Sequence, residues 1–142
     1  MENWIYYGLF AALVFGINTV MYKVAQQKGN FSPYYGSFLM GLGIVIVFAV
    51  FMFFKRDFVF EWKYSSLAIG AGMLWALGFL AVAIAISQKA DISRLAPVYN
   101  TNTLVAVVLG IIFLKEIPDF SQMWRVILGA AFIVGGAILV SI

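Results

Sequence analysis

The chain has 142 residues, 64% of them apolar and 11% charged, against about 45–50% and about 25% in soluble domains. Six acids and nine bases cannot clothe a water-exposed surface of this size, which excludes an ordinary soluble domain. The absence of Cys and His excludes disulfides, thiolate chemistry and the usual zinc triads, and the net charge of +3 is scattered between apolar runs without forming a patch for nucleic acid.

A helix needs about 20 mostly apolar residues to cross the hydrocarbon layer. Five such runs occur in chain order, at 4–25, 34–54, 66–87, 94–114 and 123–142. The sequence therefore predicts an all-α, polytopic membrane protein with membrane lipid as its first partner. The first run follows Met1-Glu2-Asn3, which carries no base, and it ends at Lys23 without a small-residue cleavage site, so it is expected to remain as a span. Turn residues mark the connections: Lys28-Gly29-Asn30 in 26–33, the charged 55–65, the short 88–93, and Pro118-Asp119 in 115–122. Trp4, Tyr6, Tyr7, Trp62, Tyr64 and Trp124 fall near run ends, where amphipathic rings favour the headgroup layer.

Five spans put the two termini on opposite faces. Lys55, Arg56, Lys63, Lys115 and Arg125 then share the face of the N-terminus, and Lys23, Lys28, Lys89 and Arg94 share the other. Five bases against four give almost no orientation bias, so insertion in both directions is expected. Gln27-Lys28-Gly29-Asn30-Phe31-Ser32 echoes Gln88-Lys89-Ala90-Asp91-Ile92-Ser93 after the third span, which fits either two related hairpins or chance. Small residues recur at four-residue spacing in Gly8, Ala12 and Gly16, in Ala68, Gly72 and Ala76, in Ala106 and Gly110, and in Ala131 and Gly135. Such stripes let helix backbones approach in lipid, either for compact packing or for a surface that slides during transport.

No ionisable group lies mid-span, and neither a nucleophile with its base nor a phosphate-cradling loop is present, so an enzyme, a metal site and a resident cofactor are not expected. The polar residues are more informative. Tyr99-Asn100-Thr101-Asn102-Thr103 sets five hydrogen-bonding side chains in succession on the fourth span, and at about 100° per residue they cannot all face lipid. Asn100 and Asn102 suit either interhelical hydrogen bonding or the lining of a cavity. Pro97 either frees the carbonyl of Ser93 within the helix or sits in the first turn. Trp75, mid-span, is apolar filler or a cavity wall that stacks on a flat or cationic ligand. Lys23 either snorkels to the interface or attracts anions at a cavity mouth. Asn18 shares a helical face with Tyr22, as structural glue or as a substrate contact.

The segment from Phe15-Gly16-Ile17-Asn18 to Lys23 resembles the aromatic-Gly-x-Asn-to-Lys signature of the first helix in EamA-type members of the drug/metabolite transporter superfamily. Leu95-Ala96-Pro97, Leu114-Lys115-Glu116 and the run from Gly129 to Gly135-Gly136 are similar to later motifs of that family, so the resemblance covers the whole chain. It implies one five-helix domain over residues 1–142, half of a ten-helix inverted-repeat transporter with a cavity near mid-membrane and alternating access by rocking of the halves. Familiar members carry two such repeats, so a lone repeat needs a second half from another chain. The expected function is secondary transport of a small metabolite by an antiparallel, dual-topology homodimer in a prokaryotic inner membrane. Its substrate contacts would be Asn18, Tyr22, Trp75, Tyr99, Asn100 and Asn102, with Lys23, Pro97 and Glu116 at gates or interfaces. Glu116, which matches the family's Glu, suits either a helix-end salt bridge or a gate. The alternatives are a flippase subunit for a lipid-linked sugar, with Lys23 and Arg94 holding a phosphate, a cationic drug exporter, which the missing mid-membrane acid disfavours, and a non-transporting structural subunit.

Overall fold

The computed structural model describes residues 3–56, 59–116 and 120–141, and among these the elements are all helices. In chain order they are α1 (Trp4–Gly29), α2 (Pro33–Lys55), α3 (Trp62–Ser87), α4 (Ile92–Tyr99), α5 (Asn102–Phe113) and α6 (Phe120–Ser141). Five segments are long and apolar enough to cross a membrane, the fourth being Ile92–Phe113, made of α4 and α5 in succession. The protein is an integral membrane protein with five candidate spans. The expected Pro118-Asp119 turn, Asp57, Met1-Glu2 and Ile142 lie outside the described residues.

The chain divides into two compact units, Met1–Lys89 with α1 to α3 and Ala90–Ile142 with α4 to α6. In the first unit, α1 runs four residues past the expected end at Ala25. A helix continues into the headgroup layer because its backbone groups are already paired, and it stops at Asn30, whose left-handed backbone (φ 52°) turns its N–H to the Gln26 carbonyl. The connection to α2 is then short. Ser32 caps α2 by accepting the Tyr35 N–H at 3.2 Å, and Pro33 opens the helix where no intrahelical N–H is needed. The echo after the third span does not reproduce this geometry: α3 ends at Ser87, and the left-handed residue is Lys89, the counterpart of Lys28 rather than of Asn30.

Among the described residues, four non-glycine residues have left-handed backbone, Asn30, Arg56, Lys89 and Lys115, and each follows the end of a helix. Three are basic. A left-handed residue with a Cβ costs about 1–2 kcal/mol, partly offset where a cation sits at the negative end of the helix dipole. Glycine would suit the backbone better but would supply no charge for the interface. The aromatic residues expected at the interface are exposed, with Lys63 5.3 Å from the Tyr64 ring centre and Arg125 5.5 Å from that of Trp124.

The buried part of the first unit is small and mixed, with Thr19, Tyr22 and Gln26 on α1, Gly36 on α2, and Ala83 and Ile86 on α3. This suits lipid, where helices gain little from hiding apolar groups and associate through small residues and hydrogen bonds. The stripes on α1 and α3 do not pack tightly within this unit. Gly8, Gly16 and Gly72 face open space, and Ala12, Ala68 and Ala76 beside them are exposed.

Candidate functional site

A groove of about 280 Å³ opens between α1 and α2 in the first unit. Asn18, Met21, Tyr22, Ala25 and Gln26 line it from α1, Gly36, Leu39 and Met40 from α2, and Phe31 from the connection. Asn18, Tyr22 and Gln26 are four residues apart, so they form one ridge that rises about 12 Å along the helix. Tyr22 is the hinge of this arrangement. Its ring, 8% exposed, meets the edge of Phe79 with centres 4.8 Å apart, and Phe79 stacks on Trp75 at 5.5 Å. Its hydroxyl lies 3.4 Å from both the Pro33 carbonyl, to which it donates, and Ser37 Oγ. Gly36 makes room for this approach, because a Cβ there would stand 2.8 Å from Tyr22 Oη. The expected residues Asn18 and Tyr22 therefore share the groove, and Trp75 joins them through Phe79, with its other side exposed.

Asn18 is half-buried and its side chain makes no hydrogen bond among the described residues. Gln26, absent from the expected set, is the most closely enclosed polar residue of the site. It is 3% exposed, its Nε2 donates to the Ala83 carbonyl at 3.1 Å, and its Oε1 is buried without a donor among the described residues. Ending the first span at Ala25 assigns Gln26 to a linker. The four-residue spacing from Asn18 through Tyr22 is the signal that could have found it.

In the second unit the fourth span is not a continuous helix. Pro97 sits inside α4 as its sixth residue, so the first-turn reading does not hold. The irregularity lies beyond it, at Asn100 and Thr101. The N–H groups of Thr101, Thr103 and Leu104 bond to Val98, Asn100 and Thr101, three residues back instead of four. The Thr101 and Thr103 hydroxyls donate to the same Val98 and Asn100 carbonyls, at 2.7 and 2.9 Å. Hydroxyls that compete for backbone acceptors in this way draw the helix into a tighter turn. Two of the five polar side chains are thus satisfied locally. Asn100 and Asn102 are exposed and make no side-chain hydrogen bond among the described residues, while Tyr99 is half-buried.

Arg94 donates to the last carbonyls of α6, through Nε to Val140 at 3.2 Å and through Nη2 to Ser141 at 2.7 Å, so its guanidinium caps that helix. This weakens the reading in which it holds a phosphate. Glu116 folds back over the end of α5: its N–H donates to the Gly110 carbonyl at 3.3 Å, and its Oε2 lies 3.3 Å from where a Gly110 Cβ would stand. Glu116 makes no ion pair among the described residues. Lys23 is half-buried on α1. No group of three or more metal-ligating side chains occurs among the described residues.

The model of the EamA-like transporter family matches residues 2–142, in line with a single repeat of the drug/metabolite transporter superfamily. An uncharacterized protein of Methanocaldococcus jannaschii is 27% identical over 143 residues, covering 100% of this chain and 98% of that protein. No solved structure matches the chain.

Proposed function

Since the chain belongs to the EamA-like transporter family, we propose that it is a secondary transporter of a small metabolite, working by alternating access as an antiparallel, dual-topology homodimer. Each copy contributes one five-helix half, and the substrate contacts are Asn18, Tyr22, Trp75, Tyr99, Asn100 and Asn102. Lys23, Pro97 and Glu116 belong to its gates or interfaces. The substrate is small and uncharged, zwitterionic or amphipathic, and the site of action is a prokaryotic plasma membrane.

The observation that carries this reading is the exposure of Asn100 and Asn102 inside the fourth span. An amide facing hydrocarbon without a partner is costly, so these side chains face a second copy or a water-filled cavity that substrate enters. The exposed stripes of Gly8, Ala12 and Gly16 and of Ala68, Gly72 and Ala76 give a second copy places to approach closely. The relative from Methanocaldococcus jannaschii, matched from end to end, has nearly the same single-repeat length.

Substrate counterflow in proteoliposomes, with substrates found by a thermal-shift screen of metabolite pools, tests the reading. Asn100→Leu and Asn102→Leu are expected to lower counterflow at least tenfold while leaving the melting temperature unchanged. A fall in stability with counterflow intact assigns both residues to packing, where an interhelical hydrogen bond is worth roughly 0.6–2 kcal/mol.

A further inference from the structure

The Gln26 amide ties α1 to α3 through one of its two polar atoms. Its Nε2 donates to the Ala83 carbonyl at 3.1 Å, while its Oε1 is enclosed and has no donor among the described residues. Neither bulk water nor a ligand reaches that oxygen in this arrangement. An enclosed acceptor left unpaired costs at least as much as one hydrogen bond returns, so the amide adds little to the stability of the closed contact. A side chain of the same length without polar atoms would hold the two helices better. The position of the residue shows what an open arrangement gains. Gln26 stands in the last turn of α1, where the helix enters the headgroup layer and water lies just outside. Parting the two helix ends hydrates both polar atoms of the amide and removes the penalty.

Helix α1 meets α3 at Tyr22 on Phe79, with ring centres 4.8 Å apart, and again four residues further along each helix, at Gln26 on Ala83. The matching steps run in one direction, so the two helices are parallel here, and the second contact lies about 6 Å nearer their ends. The deeper contact, ring against ring, suits a pivot, and the outer one, with its unpaired oxygen, suits a latch. The last turn of α1 moves as one piece, because the Gln26 carbonyl accepts the N–H groups of both Asn30 and Phe31. We infer that Gln26 is the latch of a gate between the ends of α1 and α3, closed in this structure, which pivots on the Tyr22–Phe79 contact and admits water from the face on which the two helices end. Ala83 and Ile86 on α3, 0% and 1% exposed, are uncovered when it opens. The inference rests on the transporter reading, which needs an opening on one face, and names the residue that sets how often that opening occurs.

The chain has no Cys, so single cysteines report the opening of the full chain in lipid nanodiscs. Ala83→Cys and Ile86→Cys, made separately, should both react with a charged, water-soluble methanethiosulfonate although the closed contact buries these positions. Adding Gln26→Met should slow each reaction at least about tenfold, the factor for one unpaired buried amide, and leave the melting temperature equal or higher. A bond that merely holds the helices together predicts the opposite signs. Gln26→Met would then melt lower, react faster or fail to fold, and any of these overturns the inference. So does equal reactivity with and without Gln26, and so does the absence of reaction at both cysteines. Counterflow in proteoliposomes separates the gate from the transporter reading. It should slow with Gln26→Met, and unchanged counterflow in that variant overturns the gate alone. Its absence from the unmodified chain, with labelling that still depends on Gln26, overturns the transporter reading alone.

Discussion

At Gly36 the gain from a better helix former competes with a collision. Alanine in place of a helical glycine ordinarily stabilises by roughly 0.5–1 kcal/mol, but here the added Cβ would lie 2.8 Å from Tyr22 Oη. Tyr22 is buried with its ring against Phe79, so it cannot swing away freely. Overpacking of this kind costs about 1–3 kcal/mol. Gly36→Ala is therefore expected to lower the melting temperature, whereas in a Tyr22→Phe background, where the nearest remaining contact is the ring carbon Cζ at 3.3 Å, the same change should lower it much less. Tyr22→Phe alone removes two long contacts of 3.4 Å and should have little effect. A Gly36→Ala variant as stable as the parent would show that Tyr22 does not fix the distance between α1 and α2.

The fourth span shows what local chemistry does to a whole element. Proline is the obvious breaker in the sequence, yet Pro97 lies within α4, and the tightened turn falls at Asn100 and Thr101 under the Thr101 and Thr103 hydroxyls. Two substitutions separate these causes. Thr101→Val with Thr103→Val keeps shape and removes the competing donors, so the backbone should return to four-residue bonding. The amides from Thr101 to Leu104 should then gain protection in hydrogen exchange, with a net stability change within about 1 kcal/mol. Pro97→Ala should leave the protection of those amides unchanged. The reverse pattern would assign the interruption to the proline. If the tighter turn serves to present Asn100 and Asn102, the double valine variant should also slow counterflow.

For the whole molecule the open matter is orientation. A five-helix repeat followed in one chain by another inverts its partner automatically, whereas a lone repeat must insert both ways to make an inverted pair. The five-to-four division of Lys and Arg between faces gives neither direction a clear advantage. Reporters fused to the C-terminus, one active inside the cell and one outside, should therefore both give signal. Two or three Lys added to the 55–63 connection should drive insertion one way and abolish counterflow, and co-expression with a variant biased the other way should restore it. Such a pair would have a two-fold axis in the membrane plane and present the same surface from each copy. A single orientation in the unmodified protein would exclude the antiparallel homodimer.

The sequence by itself determined the environment, the number of spans and the family. These depend on sums over about 20 residues and on ordered motifs, and neither changes with where individual side chains point. It also brought Asn18, Tyr22 and Asn100 forward, because a polar side chain within an apolar run is conspicuous. The tertiary structure decided which of these have partners. Gln26 lay beyond an apolar run whose hydropathy ends at Ala25, and only the continuation of α1 and the nearness of Ala83 on α3 show it buried, with one amide atom bonded and one not. The small-residue stripes read as packing surfaces, yet those on α1 and α3 face open space, because a four-residue spacing says which residues share a face and not what lies opposite. The commitment of Arg94 to the end of α6 depends on residues 46 and 47 positions away. Pairing across such separations is fixed by how the helices fold back on one another, and no local pattern in the sequence encodes it.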